Sequence, residues 1–331
     1  MAIARNRWVI FGISMLVWFC GCASGPSSVP IAPSSPWIDS LLGGPSHVSI
    51  VARPSAFMHD RYWGPALQRT IAKSKRDDLD ETPPDQLAAF FQSSQLEAFV
   101  GVRDFARLER APRDQINAET INYVLVVRGL PPVDPLRLTT KRGDPQFSAP
   151  ARLASGVLEY PPSPPFVRRK QGLATWLYVM PDGTWVGVDQ VTAQRARGIY
   201  SQTGTAPPPM RMESEHLFAA FVDRWSVEAA TKRAEARDET WRRDLTAGGL
   251  ILHGGRDGAI EIVLDYASDA AADRAKDWTG ATLQATCQKH ELACLLVKTA
   301  IRDVKLAQDG RRFGITFFLS ELLLQRLSEG S

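Results

Sequence analysis

Ala174-Thr-Trp-Leu-Tyr-Val-Met-Pro-Asp-Gly-Thr-Trp-Val-Gly-Val188 is the clearest hairpin in the chain. β-branched and aromatic residues flank Asp182-Gly183, and the glycine suits the positive φ of a tight primed turn. Trp176, Tyr178 and Trp185 lie on the two strands, while Leu177, Val179, Val186 and Val188 make the opposite face apolar too. Aromatic residues on a sheet can form a platform for sugars or peptides. A strand apolar on both sides is one buried on both sides, so these residues read as core.

Outward from this hairpin the elements form two series. Toward the N-terminus, alternation of Val48, Ile50 and Ala52 in His47–Arg53 predicts a strand. Asp60–Ala72 supplies a cap and then a helix with Leu67 and Ile71 four apart. A second helix follows around Gln86–Phe91, and Leu96–Val102 and Ile121–Val127 read as strands by β-branched and aromatic content. Val191–Gln202 is a helix, and Thr203–Pro209, with its three consecutive prolines, is a domain boundary. Toward the C-terminus, Leu217–Val222 reads as a strand and Ser226–Leu245 as a highly charged helix. Gly249–His253 and Ala259–Tyr266 pair through Asp257-Gly258. A helical region covers Ser268–Ile301, a hairpin over Asp303–Leu319 turns at Asp309-Gly310, and Glu321–Ser328 is a terminal helix. The order strand, helix, strand, turn, strand thus begins twice, at His47 and at Leu217, which suggests a degenerate tandem repeat. Hairpins and long helices without regular βαβ alternation predict an α+β fold: two modules of antiparallel sheet, over 37–205 and 210–331, with helices packed on one face.

The N-terminus carries a different kind of information. Met1–Arg7 is short and basic, Trp8–Phe19 is an uncharged apolar run, and Cys20-Gly21-Cys22-Ala23 follows at once. That is the order of a cleaved export signal over 1–21. A run of this length is too short to cross a hydrocarbon core, which needs about 20 helical residues. Gly21 before Cys22 resembles the lipobox of bacterial lipoproteins. The resemblance implies that Cys22 becomes the first mature residue and carries fatty acyl chains such as palmitate; more than one chain is also what stable anchoring requires. Phe19 and Cys20 depart from the family pattern, which usually has leucine and a small residue there. Cys20 is the alternative acceptor, although bulky Phe19 before it fits a small-residue cleavage site badly. An uncleaved anchor and a plain secretory signal are the other readings. Ala23 and Ser24, with no aspartate after the cysteine, match the family's outer-membrane sorting pattern, so the implied location is the envelope, lipid-anchored and facing the periplasm. Ser24–Pro36, rich in proline and serine, completes a tether over 22–36 that favours extended polyproline conformation. The globular part resembles uncharacterised α+β lipoproteins through the hairpin from Leu177 to Val188, and that likeness confers no activity.

Composition limits what such a module can do. The chain of 331 residues is 44% hydrophobic and 23% charged, as folded proteins are. Loss of Arg5 and Arg7 with the signal leaves a nearly neutral mature chain, which gives no general attraction to nucleic acid. No nucleophile elbow, phosphate-binding glycine loop or EF-hand occurs. His253-Gly-Gly-Arg-Asp-Gly258 faintly resembles an oxyanion-hole glycine run, but its place between two strands makes it a hairpin loop. Pro161–Pro165 beside Arg168, Arg169 and Lys170 could be a polyproline ligand; the plain reading is a surface loop. The mixed charges of Thr231–Asp244 indicate a solvated helix face. His290-Glu-Leu-Ala-Cys294, with Cys287 three residues before the histidine, is a near miss of the zinc-protease helix. His290 with Cys287 or Cys294 could share a metal and Glu291 could poise a water, but Leu283, Cys287, Cys294, Val297 and Ile301 also form a core stripe at helical spacing. Cys287 and Cys294 are in addition the pair left for a disulfide once Cys22 is lipidated. A continuous helix would hold their Cα atoms about 10.5 Å apart, beyond the disulfide limit of about 7 Å, so a bridge requires a break between them. The sequence therefore favours a non-catalytic envelope module with no cofactor and with an envelope protein as partner. The alternative is a metal-dependent hydrolase using His290, Glu291 and Cys294.

Overall fold

A computed structural model describes residues 36–73, 86, 89, 92, 97–102, 122–130, 133–165, 174–208, 216–223, 244–255, 258–289 and 301–321. The fold is α+β, and neighbouring strands within each unit pair antiparallel. Described residues 36–59 and 67–208 make one compact unit; 60–66 and 216–321 make another.

The first unit contains helix α1 (Pro36–Leu42), strand β1 (Val48–Ala52), helix α2 (Pro54–His59), strands β2 (Glu97–Val102), β3 (Tyr123–Arg128), β4 (Ala151–Arg152), β5 (Leu158–Tyr160), β6 (Trp176–Val179) and β7 (Trp185–Val188), and helix α4 (Gln190–Tyr200). Helix α3 spans Gly64–Lys73. The sheet runs β1-β2-β3-β7-β6-β5-β4. Register puts Val124, Val126, Val186, Val188 and Tyr178 on one face, where they join Ile38, Leu41 and Leu42 of α1 and Ala193, Ala196 and Tyr200 of α4 in one apolar cluster. Here α1 and α4 lie on one face, as expected from sequence. The other face carries Val127, Leu177, Trp185 and Tyr160, packed with Phe147, Leu130, Val133 and Leu138 from the segment between β3 and β4.

Asp189 explains where α4 begins. Its side chain accepts hydrogen bonds from the amides of Val191 and Thr192 and from the Thr192 hydroxyl, satisfying donors that the first helical turn leaves open. It also accepts from the Tyr123 amide at 2.7 Å, tying the helix start to β3. The end of α1 is fixed from the other side: Arg195 of α4 donates to the Leu41 carbonyl at 2.8 Å, and its guanidinium lies where a Cβ on Gly43 would sit. Gly43, at φ +74°, is therefore favoured by its left-handed backbone conformation, and a Cβ there would also push the end of the Arg195 side chain aside.

The second unit contains β8 (His216–Asp223), β9 (Leu245–His253), β10 (Ala259–Tyr266), helix α5 (Asp269–Lys289), β11 (Ile301–Asp309) and β12 (Arg312–Leu319). Its strands run β8-β9-β10-β12-β11, and α5 packs against β10, β11 and β12. This order repeats that of the first unit. In each, three successive antiparallel strands are followed by a hairpin whose second strand pairs with the third, β6-β7 in one and β11-β12 in the other. The tandem repeat expected from element order is thus present as topology. What differs is the crossover: α5 in the second unit, and a segment containing β4 and β5 in the first.

Three expectations need correction. The turn at Asp182-Gly183 is not a two-residue primed turn. The Gly183 amide donates to the Met180 carbonyl, the Met180 amide donates to the Thr184 carbonyl, and Val179 pairs with Trp185, so the loop is the three residues Pro181-Asp182-Gly183. One extra loop residue reverses the facing of the return strand. Trp185 consequently lies opposite to Trp176 and Tyr178, while Val186 and Val188 share their face. Second, β9 begins at Leu245, the residue at which the sequence predicts the end of a helix. Asp244 holds a positive φ of 68° and its carbonyl accepts from the Ala267 amide, which starts the strand there. Third, Pro161–Pro165 is not simply a surface loop, because Pro162 and Ser163 are buried. Ser163 donates its amide to the Gln146 carbonyl and its hydroxyl to the Pro145 carbonyl, supplying donors among prolines that have none.

Candidate functional site

A group of ionisable and aromatic side chains in the second unit lies at one end of β8, β9 and β10. His216 stands directly opposite His253 in the antiparallel register. Glu261 is the diagonal neighbour of His253 across β9 and β10, so all three project from one face. The rings of His216 and His253 meet edge to face, with centroids 4.7 Å apart and an interplanar angle of 88°. His253 Nε2 lies 3.0 Å from Glu261 Oε2, and the Glu261 side chain is only 3% exposed. Burying a carboxylate is costly unless a partner compensates, and the imidazole supplies that partner.

Asp60 and Trp63 close this end. Asp60 Oδ1 accepts from the amides of Tyr62 and Trp63, and Asp60 Oδ2 accepts from the Gly255 amide at 2.8 Å. Trp63 Nε1 donates to the His253 carbonyl at 2.8 Å. Tyr62 packs so closely on Gly258 that a Cβ there would fall 1.9 Å from the ring. Two glycines, at 254 and 258, therefore admit the Asp60–Trp63 turn, and His253 is held through both its main chain and its side chain.

Chemically, His253 and Glu261 form the base-and-orienter half of a nucleophilic site. The nucleophile is missing: among the described residues the His253 ring bonds no hydroxyl or thiol, and its partner is the buried Glu261. Nor does any group of three His, Cys, Asp or Glu side chains among the described residues converge to hold a metal ion. The arrangement secures the β9-β10 hairpin to the Asp60–Trp63 turn.

A second buried polar group sits in the first unit. The Tyr178 hydroxyl lies 3.0 Å from Glu159 Oε1 and 2.9 Å from the Ala193 carbonyl, and Arg197 Nε lies 3.3 Å from Glu159 Oε2. The ring of Tyr200 tilts against Tyr178 with centroids 5.2 Å apart. Burial drives the phenols of Tyr178 and Tyr200 well above the ordinary tyrosine range, with the Glu159 charge adding to the shift at Tyr178. Both stay neutral in the core; Tyr178 donates to its two acceptors, whereas the buried Tyr200 hydroxyl has no hydrogen-bond partner among the described residues. Tyr178 is buried and Trp185 nearly so, so the aromatic residues of the hairpin are core, with Trp176 partly buried at its margin.

The hairpin loop expected after His253 joins β9 to β10. Cys287 falls within α5, with its side chain outside the described residues. Cys22, His290, Glu291 and Cys294 lie outside them too, as do the signal, the tether up to residue 35, Arg168–Lys170 and the charged helix up to residue 243, while Pro36, read as the end of the tether, is the first residue of α1. Sequence reading missed His216, His253 and Glu261 as a group. Glu261 alternates with Ile260 and Ile262, a pattern that ordinarily marks the solvent face, and only the register with β9 brings it to a histidine.

No protein-family model matches the chain, and no curated protein does. A solved structure, described as crystal form I of TP0453, is similar over 91% of this chain and 99% of its own, at 10% identity and a TM-score of 0.41. That likeness assigns no role to any residue here.

Proposed function

We propose that this chain is a membrane-anchored envelope lipoprotein that works as a non-catalytic binding or organising module, held by lipid on Cys22 and facing the periplasm from the outer membrane. The observation that carries the reading is the N-terminal order: basic Met1–Arg7, apolar Trp8–Phe19, Gly21-Cys22, and then the proline- and serine-rich tether to Pro36. The folded part agrees with a binding role, since the buried carboxylates Asp189, Glu159 and Glu261 are engaged by amides, a phenol, a guanidinium or an imidazole of the fold itself. Its partner would be another envelope protein.

The test is fractionation of envelopes from cells producing the wild-type chain and Cys22→Ala. The wild type sediments with membranes and resists extraction by high salt, whereas Cys22→Ala does not enter the lipidated pool. Zinc analysis of the folded part, freed of Met1–Pro36, accompanies it. Stoichiometric zinc would replace this reading with a hydrolase built on His290, Glu291 and Cys294.

A further inference from the structure

We draw no further inference here: the strongest candidate, the His216, His253 and Glu261 side-chain cluster on the β8-β9-β10 face, belongs to the site already described, and no convergent set of ligand donors exists among the described residues to say what it would bind.

Discussion

Glu261 and Asp265 lie on the same strand, yet their polar contacts differ in what they contribute. The Glu261 carboxylate is nearly sealed from solvent against His253, whereas Arg312 and Asp265 keep side-chain exposures of 19% and 27%. The Arg274–Asp244 pair is more exposed still, at 46% on each side. Water screens such an exposed pair, so Arg274→Ala is expected to change unfolding stability by less than about 1 kcal/mol. Glu261→Ala leaves a cavity and an imidazole without its acceptor, and is expected to cost about 2–4 kcal/mol. Urea unfolding of the two variants beside the wild type checks the contrast. Equal effects would mean that the Glu261 side chain is hydrated.

The buried phenols give a pH prediction. Burial raises Tyr123, Tyr178, Tyr200 and Tyr266 above the ordinary phenol value in the folded chain. Below about pH 10 the phenol is protonated in both states and contributes nothing to the pH dependence. Above it the unfolded chain loses phenolic protons first, so the folded state holds more protons and stability falls as pH rises. Each such phenol removes about 1.4 kcal/mol per pH unit beyond that point, until it ionises in the folded state. Urea midpoints measured across the alkaline range should decline steeply, and tyrosinate absorbance from these groups should appear together with unfolding. Smooth ionisation of every tyrosine in the folded protein would contradict the burial.

At the scale of elements, glycines with the same sign of φ carry different loads. Gly183 has φ +83° and open space around its Cβ position, so Gly183→Ala meets only the left-handed backbone cost of about 1–2 kcal/mol. Gly258 has φ +55° with the Tyr62 ring in the way. Gly258→Ala must therefore also displace an aromatic side chain from a packed position, and a total near 2–5 kcal/mol is expected. Thermal or urea denaturation ranks the two variants; a milder Gly258 variant would mean that Tyr62 moves freely. Asp189→Ala removes the α4 cap and an acceptor for the Tyr123 amide in a fully buried place, so its cost should reach or pass the upper end of cap losses, about 2 kcal/mol.

Much of this element layer was legible. β1, β2, β3, β8 and β10 carry β-branched and aromatic runs, and α4 has its Asp189 cap written beside it. β4 and β5 escaped notice because two- and three-residue strands bounded by glycine and proline have no measurable period. The facing of Trp185 escaped because Asp-Gly suits a two-residue and a three-residue loop alike, and strand alternation does not reveal which is used. The His216, His253 and Glu261 group required knowing which strands are neighbours, information that resides in pairing across 37 and 8 residues of chain, as 216–253 and 253–261 show.

For the whole molecule, repetition is the organising feature. Three antiparallel strands followed by a returning hairpin occur in both units, around different side chains. One unit closes its sheet with α1 and α4 on one face and the 133–147 segment on the other; the other unit sets α5 against β10, β12 and β11. The buried carboxylates Asp189, Glu159 and Glu261 are each engaged by donors of their own unit. No helix among the described residues is long and apolar enough to cross a membrane. The membrane attachment proposed for this chain rests on its N-terminal residue order.

Mass spectrometry of the N-terminal peptide decides whether Cys22 carries the lipid. The protein is purified from membranes in detergent, digested, and the first peptide of the mature chain measured before and after alkaline release of ester-linked acyl chains. The expected peptide begins at Cys22, carries acyl mass, and becomes lighter on release. A chain that still begins at Met1, or an unacylated N-terminus anywhere before Trp37, would contradict it.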